Sequence, residues 1–120
     1  MSSINPTLPE EITLNAVDIQ ILRVDDLKAD DGEKCNGLAS KDEATIEICT
    51  SVKKHDTLRF VALHEVSHFI EDHAGLSLKE TQIDSLARSM LSLIRDNPEF
   101  IAWLQAPKPT RKKKEQPTLE

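Results

Sequence analysis

The sequence predicts an α+β fold, a small antiparallel β-sheet of about three strands packed on two helices, with a short third helix at the C-terminal end. Three observations carry this expectation. Apolar residues in the first half alternate, as at Val17, Ile19 and Ile21, which is the period of a half-buried strand. From Asp56 onward they recur at helical spacing instead. Breaks at ADDGEKCNG, at Gly75 and at Asn97-Pro98 separate the segments. A chain of 120 residues holds one small domain with a modest core.

The stretch Ile12 to Leu27 is expected to carry one strand ending near Val24. After Asn36-Gly37, Leu38, Ile46 and Ile48 fit two short strands around a polar turn at Lys41-Asp42-Glu43, a β-hairpin. Ala62, Val66, Phe69 and Ile70 predict a helix from about Thr57 to Asp72 that breaks at Gly75. A second helix opens at Ser77, where Ser77-Leu78-Lys79-Glu80 has the form of a capping box with Glu80 as its acid. Ile83, Leu86, Ala87, Met90 and Ile94 make its apolar stripe. It stops at Asn97-Pro98, after which EFIAWL supplies a turn of helix whose Phe100, Ile101, Trp103 and Leu104 fold back onto the core. Residues 1–10 read as a flexible leader, 11–106 as one compact domain, and 107–120 as a disordered basic tail rich in Pro and Lys.

The net charge of −6 is unevenly spread. Lys108, Arg111, Lys112, Lys113 and Lys114 against Glu115 and Glu120 leave the tail at +3, so the rest of the chain stands at −9. An acidic body is a poor nucleic-acid binder, and the tail reads as a solubilising end. No apolar run is long enough for a membrane span, and MSSINPTLPEE has neither the basic nor the apolar region of a secretory signal. A cytoplasmic protein without membrane association is expected. Cys35 and Cys49 lack CxxC spacing and read as reduced, half-buried thiols.

Within LRFVALHEVSHFIED lies HEVSH, residues 64–68. Residues four apart share one helix face, so the imidazoles of His64 and His68 can close on one metal ion. Glu65 is turned about 100° from His64 and about 60° from His68. It flanks the ion without binding it, where its carboxylate can take a proton from metal-activated water as general base. The apolar stripe of this helix lies opposite the histidines, which therefore face a cleft or another element. A catalytic zinc site needs a third protein ligand. Glu80 and Asp84 on the second helix, spaced four apart, both qualify, and Glu71 is a third candidate one turn beyond His68. A capping-box role competes for Glu80, and spacing leaves the choice open.

The pattern LHEVSHFIEDHAGLSL followed by KETQIDSLARSMLSLIRDNPEF resembles the ImmA/IrrE-type zinc metallopeptidases, in particular their compact phage- and prophage-encoded versions. The resemblance spans about Ile12 to Trp103 and is most specific over Leu63 to Arg95. It implies a zincin-like minimal domain of the gluzincin kind, with one zinc ion per chain. His64, His68 and Glu80 would be the zinc ligands, Glu65 the general base, Asp84 a second-shell partner of a histidine, and Leu86-Ala87 a packing pair. The interval from His68 to Glu80 is shorter than in larger members. The chain has no tyrosine, so an oxyanion would have to be met by another group, with His55, Arg59, His73 and Arg88 as candidates.

The function expected is a zinc-dependent endopeptidase acting on a protein partner, such as a repressor or regulator of a mobile element. The competing expectation is a zinc-stabilised binding or inhibitory module without catalysis, since small cores often need a metal staple.

Overall fold

The computed structural model describes residues 7–109, so the expectations for residues 1–6 and 110–120 lie outside the described residues. The chain runs β1 (Glu11–Leu14), β2 (Val17–Val24), β3 (Gly37–Ser40), β4 (Thr45–Cys49), α1 (His55–His73), α2 (Glu80–Asp96) and α3 (Pro98–Gln105). The fold is α+β, as the change of apolar period predicts.

The stretch expected to hold one strand holds two. Asn15 and Ala16 both adopt positive φ, 52° and 66°, the mirror-image turn whose twist suits a two-residue hairpin. β1 and β2 therefore pair antiparallel, with Ile12 opposite Ile19. Leu8, ahead of β1, is half-buried against the core. β2 carries the alternation forward, with Ile19 and Ile21 buried and Gln20 and Leu22 exposed.

The expected hairpin after Gly37 forms, with β3 antiparallel to β4 and Ala39 opposite Ile46. The sheet as a whole is not antiparallel, however. It has four strands in the order β1-β2-β4-β3, and β2 pairs parallel with β4. The segment between β2 and β3 turns back on itself through the Lys28–Lys34 bridge and buries Leu27. That detour puts β3 outside β4 and leaves β4 running beside β2. Arg23 ties the ends of the parallel pair by donating to the carbonyls of Cys49 and Val52, at 3.0 and 2.6 Å.

α1 lies across the sheet, against β3 and β4, and α2 packs on α1. Two flanks of α1 are therefore covered, and its buried residues are not confined to the expected stripe. Val61, Glu65 and Phe69 are buried on one flank with Ile19, Ile46 and Ile48 from the sheet. Ser67 is fully buried on the flank turned toward α2, which buries Ile83 and Ala87. His64 and His68 sit in the angle between the flanks, not opposite a single apolar face.

α1 ends at His73 with Ala74 as its C-cap, and Gly75 follows at φ +71°, the left-handed conformation a non-Gly residue resists. α2 starts later than predicted. Its N-cap is Lys79, whose N–H donates to the Gln82 side chain at 2.8 Å. Ser77 is not the cap, because the preceding loop is held elsewhere: Leu76 N–H bonds to the Glu71 carbonyl and Leu78 N–H to the Glu71 carboxylate. α3 forms but does not return to the core. It touches α2 alone among the elements, and Trp103 is 71% exposed. No helix among the described residues is long and apolar enough to cross a membrane.

Gly37 sets how closely sheet and helix approach. A Cβ there would stand 2.9 Å from both Val61 Cγ1 and Glu65 Oε2, closer than packed atoms tolerate. Gly37→Ala is expected to lower stability by about 1–3 kcal/mol through overpacking, read by urea unfolding. A loss well below that range would mean that α1 can retreat from β3 freely.

Candidate metal centre

The local sequence places both histidines on the same side of α1, one turn apart, with ring centroids 5.1 Å apart. Because α2 begins at Glu80 and Gln82 serves the cap, Glu80 is released from the capping role and turns toward α1. His64 Nε2 lies 3.0 Å from Glu80 Oε1, and His68 Nε2 lies 3.2 Å from Glu80 Oε2. The far side of each ring is held separately. His64 Nδ1 is 2.7 Å from Asp84 Oδ1, and His68 Nδ1 is 3.1 Å from Glu71 Oε2.

A ring whose Nδ1–H is donated to a carboxylate presents Nε2 as a lone pair, the arrangement of metal-binding histidines. Here both Nε2 atoms point at one carboxylate. Donors around a tetrahedral zinc ion stand about 3.3 Å apart, close to the separations above. Among the described residues, His64, His68 and Glu80 are the group of three whose ligand atoms lie within 4.8 Å of one another, and they could hold a metal ion. The donor set suits one chemically as well: Glu65, Glu71, Glu80 and Asp84 surround two imidazoles, an excess of negative charge that a cation would balance. Asp84 faces the opposite edge of His64, away from the converging nitrogens.

Glu65 is 6% exposed, pressed between α1 and Gly37 of β3. Burial pushes its carboxyl above the ordinary value, opposed in part by His64 and His68. Its side chain lines a hollow of about 230 Å³ with Gly37, Leu38, Ala39 and Lys41 on one side and the three candidate ligands on the other. A larger hollow, about 740 Å³, lies at the end of the sheet around Cys35 and Cys49 and shares no residue with the cluster. Cys35 is half-buried, whereas Cys49 is buried. Neither lines the hollow at the histidines.

Glu71 does more than its sequence position announces. Its buried carboxylate accepts the Leu78 N–H at 2.5 Å through one oxygen and faces His68 through the other. The Leu78 bond holds its carboxyl below the ordinary range. The i, i+3 spacing from His68 was the available signal; the bond to Leu78 had none. Of the oxyanion candidates, His73 accepts from the Asn15 amide at 2.8 Å, and neither it nor His55 nor Arg59 lines the cluster's hollow. Arg88 lines a neighbouring one. Lys41, which no motif singled out, does line it.

Comparison with known proteins adds no relative: no family model, no curated protein and no solved structure matches the chain.

Two buried carboxylates predict opposite responses to pH in the metal-free protein. Glu65 binds its proton more tightly folded than unfolded, so its contribution to stability falls as pH rises from the ordinary value of 4.5 through the raised folded one. Glu65→Gln should therefore match wild type in acid and exceed it at neutral pH in thermal melts. Glu71 contributes above its ordinary 4.5 and loses that contribution as pH falls through its lowered folded value. Glu71→Ala should melt lower than wild type at neutral pH, with the gap closing in acid. The reverse order in either mutant would contradict the environments described.

Proposed function

We propose that the chain is a metal-dependent endopeptidase, zinc being the ion of choice, that cleaves a protein partner and belongs with the ImmA/IrrE-type metallopeptidases it resembles in sequence. The observation that carries this reading is the convergence of His64 Nε2 and His68 Nε2 on the Glu80 carboxylate, with Glu65 beside them in the same hollow. Two imidazoles and one carboxylate leave a fourth tetrahedral position open, the difference between a catalytic and a closed structural site.

A divalent ion held there would supply Lewis acidity and a water of lowered pKa. The remaining work falls to the chain. Asp84 and Glu71 fix the two rings so that the Nε2 atoms stay aligned. Glu65 takes a proton from the attacking water and returns it to the leaving amine, and a carboxyl raised by burial is better matched to that exchange at neutral pH than an exposed one. Lys41 is the cation that lines the same hollow and can meet charge developing on the carbonyl oxygen. β3 is the last strand of the sheet, so among the described residues its outer backbone edge has no strand partner and can pair with an extended peptide laid beside the cluster. A shallow cleft of this kind fits a protein partner recognised over a surface. A mobile-element repressor or regulator is the partner class that the sequence resemblance suggests.

The second reading, a metal-stapled binding module, has no use for Glu65. Glu65→Gln is expected to keep metal affinity within about threefold of wild type while reducing cleavage of a protein substrate by a factor of about 100 or more. A mutant that keeps both metal and full biological effect would leave the binding module as the better reading.

A further inference from the structure

The hollow at the candidate metal cluster has a neighbour one turn further along α1, lined by residues adjacent to its own. Toward the N-terminal end of α1 the floor passes from His68, His64 and Glu65 to Val61, Phe60 and Thr57. The β3 wall passes from Ala39 and Gly37 to Asn36, and the α2 wall from Glu80 to Arg88, Leu91 and Arg95. The same neighbouring elements thus bound both hollows in consecutive turns, and the second has a volume of about 520 Å³.

The sign of charge changes between the two. Acids crowd the cluster end, whereas two guanidinium groups and a single acid, Asp56, line the other. Arg95 is engaged by Asp56 at 3.4 Å. Among the described residues Arg88 makes no ion pair. Its Cζ lies 4.3 Å from the centre of the Phe60 ring, and this contact steadies a group that would otherwise swing freely in water. The Phe60 ring in turn lies 6.0 Å from that of His64. Arg88 Cζ is thus within about 10 Å of the imidazole centre, the reach of about three residues of extended chain.

We propose that this hollow is a subsite for a carboxylate on an extended peptide, with Arg88 as its partner. The Arg fork matches a carboxylate through two parallel hydrogen bonds, and the ring beneath it excludes water from one side. The rest of the protein works against acidic ligands, since the chain carries a net −6, so a preference for an acidic residue has to arise locally. The carboxylate can belong to a Glu or Asp side chain or to a peptide C-terminus.

This inference rests on the peptidase reading for the identity of its ligand, and the test separates the two. Labelled, C-terminally amidated peptides of one sequence, with Glu, Gln or Lys placed at each position in turn, are passed over immobilised, zinc-loaded Glu65→Gln protein. A free-acid set truncated at each position is run beside them. The expected result is one position at which Glu is retained about tenfold more tightly than Gln, a preference lost in Arg88→Gln and turned toward Lys in Arg88→Glu. Preferential retention of a free-acid form, abolished by the same substitutions, would identify the C-terminus as the source. Equal retention of Glu, Gln and Lys everywhere with no free-acid preference, or a preference that survives Arg88→Gln, overturns the proposal. Cleavage of the same peptides by wild type is scored separately: Arg88-dependent retention without cleavage upholds the subsite and removes the peptidase reading.

Discussion

One buried carboxylate governs how the two halves of the site meet. Glu71 leaves α1 one turn after His68 and takes the Leu78 N–H on one oxygen while the other faces His68 Nδ1. The first contact holds the loop extended until Lys79, so α2 begins at Glu80 and that residue stands at the head of its helix, facing α1. The second fixes the ring that Glu80 must meet. A single side chain therefore determines both the orientation of a histidine on α1 and the place where its partner enters on α2. Because a carboxylate accepting a backbone N–H is stabilised in its charged form, the clamp is strongest where carboxylates are ionised.

The other constraint is crowding. Gly37 allows β3 to lie against α1 so closely that the ionisable Glu65 is enclosed. Enclosing it opposes folding, and in a chain this small the opposing term is a sizeable fraction of the total stability. The isoleucines of β2 and β4 with Phe69 and Val61 offset it through the apolar core packed on the same flank of the helix. Glu80 opposes ionisation of Glu65 by like charge, a repulsion that a cation held at the cluster would relieve.

The helical half was readable from sequence because its signals are local. Apolar spacing from Asp56, the left-handed Gly75 and Asn97-Pro98 bound α1 and α2 within a few residues, and the i, i+4 spacing put His64 and His68 on one face. The sheet was less readable. The Asn15-Ala16 turn places an alanine at positive φ without the glycine that marks such turns, and the parallel pairing of β2 with β4 depends on a long detour that leaves no periodic trace. α3 was expected to fold inward, yet Phe100, Trp103 and Leu104 remain exposed; the structure provides no covering element for them among the described residues. Which acid faces the two Nε2 atoms was open in the spacing, because it depends on where α2 begins, and that is decided by the non-local bond from Glu71 to Leu78.

X-ray absorption on zinc-titrated protein is the most direct test of whether His64, His68 and Glu80 form a single metal centre. A single centre predicts a binding isotherm that saturates at one zinc per chain. The first shell should contain two imidazole nitrogens at about 2.0–2.1 Å and at least one carboxylate oxygen at about 2.0–2.2 Å. In Glu80→Ala the protein carboxylate should vanish from that shell, whereas in Asp84→Ala it should stay. Folded protein that takes up no zinc, or a shell that loses its carboxylate with Asp84 and keeps it without Glu80, would contradict that centre.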